Sequence, residues 1–143
     1  MNKYVVGFLF DENMENVVLI HKNRPDWQKG LLNGVGGKIE DNETPLLAMQ
    51  REFSEETGLQ IDNWQGYAEI EDTDWIVYFF YTISDKWNQA ETMTDEKIKF
   101  IPTNDLFSYP MVPNLYWLLP MCLDKYHSYC KATTTKVAKT DRI

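Results

Sequence analysis

GKIEDNETPLLAMQREFSEETGL, residues 37 to 59, decides how the rest of the chain is read. The spacing predicts a helix over 44–57. Thr44 followed by Pro45 reads as an N-cap with proline at the first helical position, and Gly58 reads as the residue that closes the helix. At about 100° per residue, Glu52, Glu55 and Glu56 fall on one face, at i, i+3 and i+4, with small Ala48 beneath them. Leu46, Met49, Phe53 and Thr57 gather on the adjoining face, as a helix packed on a core requires. Like charges at i, i+4 destabilise a helix by roughly 0.2–0.5 kcal/mol per pair, so this crowding calls for a cation. Clustered carboxylate oxygens suit Mg²⁺ or Mn²⁺. An EF-hand is excluded, because its ligands alternate along a loop instead of following helical spacing.

Around this stretch, runs rich in β-branched and aromatic residues predict strands. Residues 4–10 and 17–21 form a hairpin across DENMEN. Residues 31–39 are extended around Gly34, Gly36 and Gly37. Further strands are expected at 67–71, 74–84 and 97–101, and DWIVYFFYTIS (74–84) reads as central and buried on both faces. Residues 85–95 and 102–112 read as loops. A second helix is expected over 113–129, kinked or divided at Pro120. Strands, helix, strands and helix in one chain make a layered α+β or α/β architecture.

The 143 residues suit one domain, 1–130, followed by a flexible basic tail, 131–143. Hydrophobic residues at 43% and aromatics at 14% exclude a disordered chain. The net charge of −8 disfavours a nucleic-acid polymer held by phosphate neutralisation. The apolar run near the N-terminus is too short for a signal peptide or a membrane span. Cys122 and Cys130, read as eight apart in one helix, would stand about 12 Å apart, too far for a disulfide. Two free thiols and no leader predict a cytoplasmic protein. His127 and Cys130, at i, i+3, carry too few ligands to predict a metal site.

The run Gly37-x5-Glu43-x7-Arg51-Glu52-Phe53-x-Glu55-Glu56-x-Gly58-Leu59 resembles the Nudix box, G-x5-E-x7-R-E-U-x-E-E-x-G-U with U bulky and apolar, and matches it at every defined position. The resemblance implies an α/β/α sandwich, a mixed sheet between helices, with the box as loop–helix–loop. It also implies that Glu52, Glu55, Glu56 and the Gly36 carbonyl hold Mg²⁺ or Mn²⁺, while Arg51 and Glu43 orient the site through a bidentate pair. Lys38 is placed to reach a phosphate. Glu96, with Glu91 behind it, is the candidate for a further ligand or general base.

Two shorter stretches, NGVGGKIEDNET and YPMVPNLYWLLP, resemble MutT-type enzymes and mammalian enzymes that remove oxidised purine nucleoside triphosphates. They imply that Asn33 and Asn114 read a purine edge, since an amide donates and accepts at once. The mammalian type has a tryptophan and two aspartates where this chain has Val112, Asn114 and Leu115. A stacking platform is therefore expected from Trp27 or Trp117. The expected activity is Mg²⁺-dependent hydrolysis of a nucleoside triphosphate, such as 8-oxo-dGTP, to monophosphate and pyrophosphate. Alternatives are a pyrophosphatase for ADP-ribose or a dinucleoside polyphosphate, and a non-catalytic nucleotide-binding module. The expected partner is a small nucleotide, with no polymer and no membrane, for a monomer or homodimer.

Overall fold

The computed structural model describes residues 1–124 and 129–134. Eight strands form one sheet: β1 (Asn2–Phe10), β2 (Asn16–His21), β3 (Leu32–Asn33), β4 (Val35–Lys38), β5 (Gln65–Glu71), β6 (Trp75–Ile83), β7 (Ile98–Pro102) and β8 (Cys130–Thr133). Among the described residues the other regular elements are two helices, α1 (Pro45–Thr57) and α2 (Leu115–Leu123), and three short 3-10 turns. The strand order is β3-β2-β1-β6-β5-β8, with β4 also on β1 and β7 also on β2. The sheet is mixed. β1 runs parallel to β6 and β5 parallel to β8, and the other pairings are antiparallel.

Alternation along the strands divides the core into two layers. On β1, Val5 and Leu9 face one way and pack with Ala48, Met49 and Phe53 of α1. Phe8 and Phe10 face the other way and pack with Leu115, Leu118 and Leu119 of α2. β2 divides likewise, with Val18 and Ile20 toward α1 and Val17 and Leu19 toward α2. The result is the helix–sheet–helix sandwich expected from the sequence. β6 is central, between β1 and β5, with Phe80 in the first layer and Phe79 in the second.

The first helix forms as its caps dictate. The Thr44 hydroxyl accepts from the Leu47 amide at 3.2 Å, Pro45 is the first helical residue, and Gly58 ends the helix at φ 71°. That left-handed conformation favours glycine. One expected core position is corrected, because Leu46 is 40% exposed while Met49, Phe53 and Thr57 are buried. The start of α1 is exposed at Leu46 and Leu47, and its buried residues begin at Ala48.

The C-terminal region departs most from expectation. α2 runs unbroken through Pro120 and ends at Leu123, so Cys122 and Cys130 are not in one helix. Both cysteines are nevertheless free thiols. Lys131 to Thr133, expected in a flexible tail, lie in β8, where Glu69, Ile70 and Glu71 of β5 pair with them in parallel register. His127 and residues 135–143 lie outside the described residues. Among the described residues no helix is long and apolar enough to cross a membrane.

Candidate active site

Arg51 is the centre of the acidic face. Its Nε donates to Glu43 Oε2 at 2.7 Å and its Nη2 to Glu43 Oε1 at 2.9 Å, a two-pronged pair. Nη1 donates to Glu52 at 2.9 Å and to Glu55 at 3.4 Å, and Nη2 also reaches the Lys38 carbonyl at 3.0 Å. One guanidinium thus joins the turn before the helix, the helix and the glycine strand. A lysine, a point charge with three rotatable donors, could not hold this planar set. Glu43 also accepts from the Glu40 amide at 3.0 Å, which closes the turn entering α1.

Glu52 lies directly against β4. A Cβ on Gly37 would come within 2.4 Å of the Glu52 side chain, and one on Gly36 within 1.9 Å of the Val5 carbonyl. Any other residue at either position would force the strand or the carboxylate away. The glycine pair therefore lets a carboxylate and a bare backbone stand side by side.

The glutamates differ in electrostatics. The hydrogen bond from Arg51 holds the Glu43 carboxyl below its ordinary value. Burial pushes Glu52 and Glu56 the other way, above it, only partly offset by Arg51 for Glu52 and by the Thr94 hydroxyl for Glu56. Thr94 donates to Glu56 at 3.1 Å. Half-buried carboxylates whose charge is under-compensated are the environment that a cation relieves. Among the described residues no three His, Cys, Asp or Glu side chains are gathered as a ready metal cage. Arg51 instead spans Glu52 and Glu55. The donors on offer are all oxygens, a set that fits Mg²⁺ or Mn²⁺ and not a softer metal.

A cavity of about 540 Å³ opens beside this face and shares the glycine strand with it. Asn33, Lys38, Asn114 and Trp27 all line it, whereas Trp117 does not. Trp117, 41% exposed, faces outward from α2. Trp75 lines the cavity instead, at the first position of β6. The strand pattern made Trp75 an ordinary sheet residue, and its proximity to Asn33 depends on the β1–β6 pairing, which no local signal reveals. Lys22 and Arg24 were also missed and also line the cavity.

The two asparagines differ. Asn33 Nδ2 donates to Gln28 at 3.1 Å and its Oδ1 accepts from the Gly34 amide at 2.8 Å. Asn114 Oδ1 is buried without a hydrogen-bond partner among the described residues. A buried carbonyl oxygen left unpaired costs roughly 1–3 kcal/mol, so it calls for a donor from something that enters the cavity.

Glu96 is 4% exposed. Its Oε1 accepts from Lys22 Nζ at 2.9 Å, and its Oε2 from the amides of Asn23 at 2.6 Å and Arg24 at 3.2 Å. Burial acts to raise its carboxyl, but these donors carry it below the ordinary value. Both oxygens are thus engaged where a free ligand or base was expected. Glu91 is exposed, with its amide bonded to the Thr57 carbonyl at 2.9 Å.

Residues 2–121 match the NUDIX domain family. Among solved structures, the chain resembles a mutator MutT protein from Bacillus halodurans at 18% identity and a TM-score of 0.72, over 94% of this chain and 91% of that one. It also resembles the NUDIX domain of NrtR from Shewanella oneidensis, solved with ADP ribose, at 15% identity and a TM-score of 0.71, over 82% of this chain and 83% of that one. A NUDIX-family hydrolase from Clostridium perfringens shares 19% identity and a TM-score of 0.67, over 88% of this chain and 98% of that one. At such identities the likeness is one of fold.

Proposed function

We propose that this chain, which belongs to the Nudix family over most of its length, hydrolyses a purine nucleoside triphosphate to the monophosphate and pyrophosphate in the manner of MutT-type enzymes. The observation that carries this reading is the unpartnered, buried Asn114 Oδ1 in a cavity that shares the glycine strand with the box. A purine edge presents adjacent donors and acceptors, and the Asn114 amide can meet both. Trp27 and Trp75, both lining the cavity, are the candidate stacking surfaces for the base. Oxidised purines such as that of 8-oxo-dGTP fall within the proposal.

Glu52, Glu55, Glu56 and the Gly36 carbonyl are the groups that would hold Mg²⁺ or Mn²⁺. Bound there, the cation would offset phosphate charge and make water a better nucleophile. Arg51 holds Glu52 and Glu55 and Glu43 holds Arg51, so a bound cation would compete with the guanidinium for the Glu52 and Glu55 oxygens. Lys38, exposed at the mouth of the cavity, is placed to meet a phosphate. In the reaction a water oxygen forms a bond to phosphorus and its proton passes to solvent, the bridging P–O bond between the α- and β-phosphates breaks, and the monophosphate and pyrophosphate separate.

A second reading is hydrolysis of another nucleoside diphosphate derivative, ADP-ribose or a dinucleoside polyphosphate. The fold likeness to a NUDIX domain solved with ADP ribose favours it. The test is a panel of ordinary and oxidised nucleoside triphosphates, ADP-ribose and dinucleoside polyphosphates with Mg²⁺, with phosphate and pyrophosphate measured separately. Pyrophosphate released from purine triphosphates is the expected result. Turnover confined to the diphosphate derivatives moves the assignment to the second reading. Binding without any turnover makes the chain a nucleotide-binding module.

A further inference from the structure

The segment that follows β2 is gripped from one side. Besides the three donors that converge on Glu96, the Asn23 side chain donates to the Asp95 carbonyl at 2.6 Å. The Arg24 guanidinium pairs with the Asp95 carboxylate through both Nη atoms. From this grip a loop runs out and returns, closed by Lys22 N to the Leu31 carbonyl and Gly30 N to the Lys22 carbonyl, both at 2.9 Å. The loop carries Trp27 and Gln28 into the cavity wall, and Gln28 holds Asn33. On its other side, the Glu96 amide donates to Thr94 Oγ1 at 3.1 Å, the same hydroxyl that holds Glu56.

We infer that Glu96 is a positioning residue, a clamp that fixes the 22–30 loop of the nucleotide cavity in register with the acidic helix. A carboxylate can accept about four hydrogen bonds, and this one already takes three from fixed donors. To serve as a metal ligand or proton acceptor it would have to release Lys22 and two backbone amides from part-buried hydrogen bonds. Held as it is, Glu96 joins two ends of the site through a short path: Glu56, Thr94, Glu96, then Lys22 to Arg24, then Gln28 and Asn33. The consequence of the clamp for substrate rests on the cavity being the nucleotide site, whereas the clamp itself does not.

The experiment is Glu96→Gln, which keeps the shape but turns one acceptor into a donor that must face either Lys22 or the amides. Amide hydrogen exchange at Asn23 and Arg24 should accelerate by about tenfold or more, the scale of a lost charge-assisted bond. KM for the nucleotide should rise more than kcat falls, and Mn²⁺ binding to the free protein should change by less than about threefold. A lost ligand would instead weaken Mn²⁺ by about 10–100-fold. That result with the two amides still protected overturns the inference in favour of a metal ligand. A fall in kcat alone, again with protected amides, overturns it in favour of a base. Should Glu96→Gln fail to fold, Glu96→Asp keeps the charge but shortens the side chain away from the amides that Oε2 holds, and should still speed exchange there; unchanged exchange overturns the clamp. A protein that hydrolyses no nucleotide would refute the proposed function, while exchange and Mn²⁺ binding would still decide the clamp.

Discussion

The acidic helix and the cavity beside it are finished to different degrees. Around Arg51, Glu43, Glu52 and Glu55 are tied into one network by a single guanidinium. In the cavity, Asn114 Oδ1 is buried with no hydrogen-bond partner among the described residues. The first region is built to hold its own shape, and the second is built to be completed by something else. Under the proposed function, the network would handle charge and the unpaired oxygen would read the substrate.

The largest test of that contrast is removal of metal. Activity should vanish in excess EDTA and return with Mg²⁺ or Mn²⁺, because Glu52 and Glu56 are half-buried carboxylates whose charge burial disfavours. Full-rate hydrolysis in EDTA would dissolve the proposed role of the helix. Glu56→Gln should cost at least ~10²-fold in turnover, with the fold retained on circular dichroism.

Next comes Arg51→Lys. An ammonium cannot replace the two-pronged pair to Glu43 and the bonds to Glu52, Glu55 and Lys38, so turnover should drop by about 10–100-fold. KM should move less. A lysine variant with normal kcat would mean that charge alone matters there.

Asn114→Ala should act on the other region and more gently, lowering kcat/KM for purine nucleotides by roughly 1–3 kcal/mol. Pyrimidine nucleotides should barely change. Equal losses for every base would make Asn114 a support for α2, and the contrast between the regions would fail.

The smallest effect separates two glutamates by sign in the metal-free protein. Glu43 has a folded pKa below its ordinary 4.5, so its stabilisation is present above that value and fades as pH falls through the folded pKa. Glu56 is raised above 4.5, so its charged form costs stability at neutral pH, and that cost disappears as pH falls through its folded pKa. Melting curves at pH 7 should therefore show Glu43→Gln below the parent and Glu56→Gln no lower than it. The reverse order would contradict the electrostatic account.

Much of this was legible before any coordinates. The caps of α1 are side-chain and backbone chemistry local to a few residues, so Thr44, Pro45 and Gly58 announce them. The order of strands and helices announces a layered architecture, and the resemblance of residues 37–59 to the Nudix box implied the sandwich. What was hidden depends on partners distant in sequence. Glu96 read as a further ligand or general base because Lys22, Asn23 and Arg24, which engage it, are some seventy residues away. Trp117 looked like a stacking candidate because its place on α2 depends on which face the helix buries, and α2 is apolar almost all round. Cys130 to Thr133 showed no strand pattern, since an edge strand of four residues with alternating half-buried and exposed positions carries little periodic signal.

The parallel register of β1 with β6 also has a consequence for how the chain is made. Asn2 pairs with Trp75 and Phe10 with Ile83, so β1 leaves the ribosome well before β6, its longest partner. At about 5–20 residues per second, synthesis leaves that side of β1 open for roughly 4–16 s. β2 and β4 can cover the opposite side of β1 early, but the row of amides and carbonyls that β6 will take stays exposed. An unpaired edge of this kind is a template for strands from other chains. A nascent chain stalled before residue 75 should therefore be the form most dependent on chaperones.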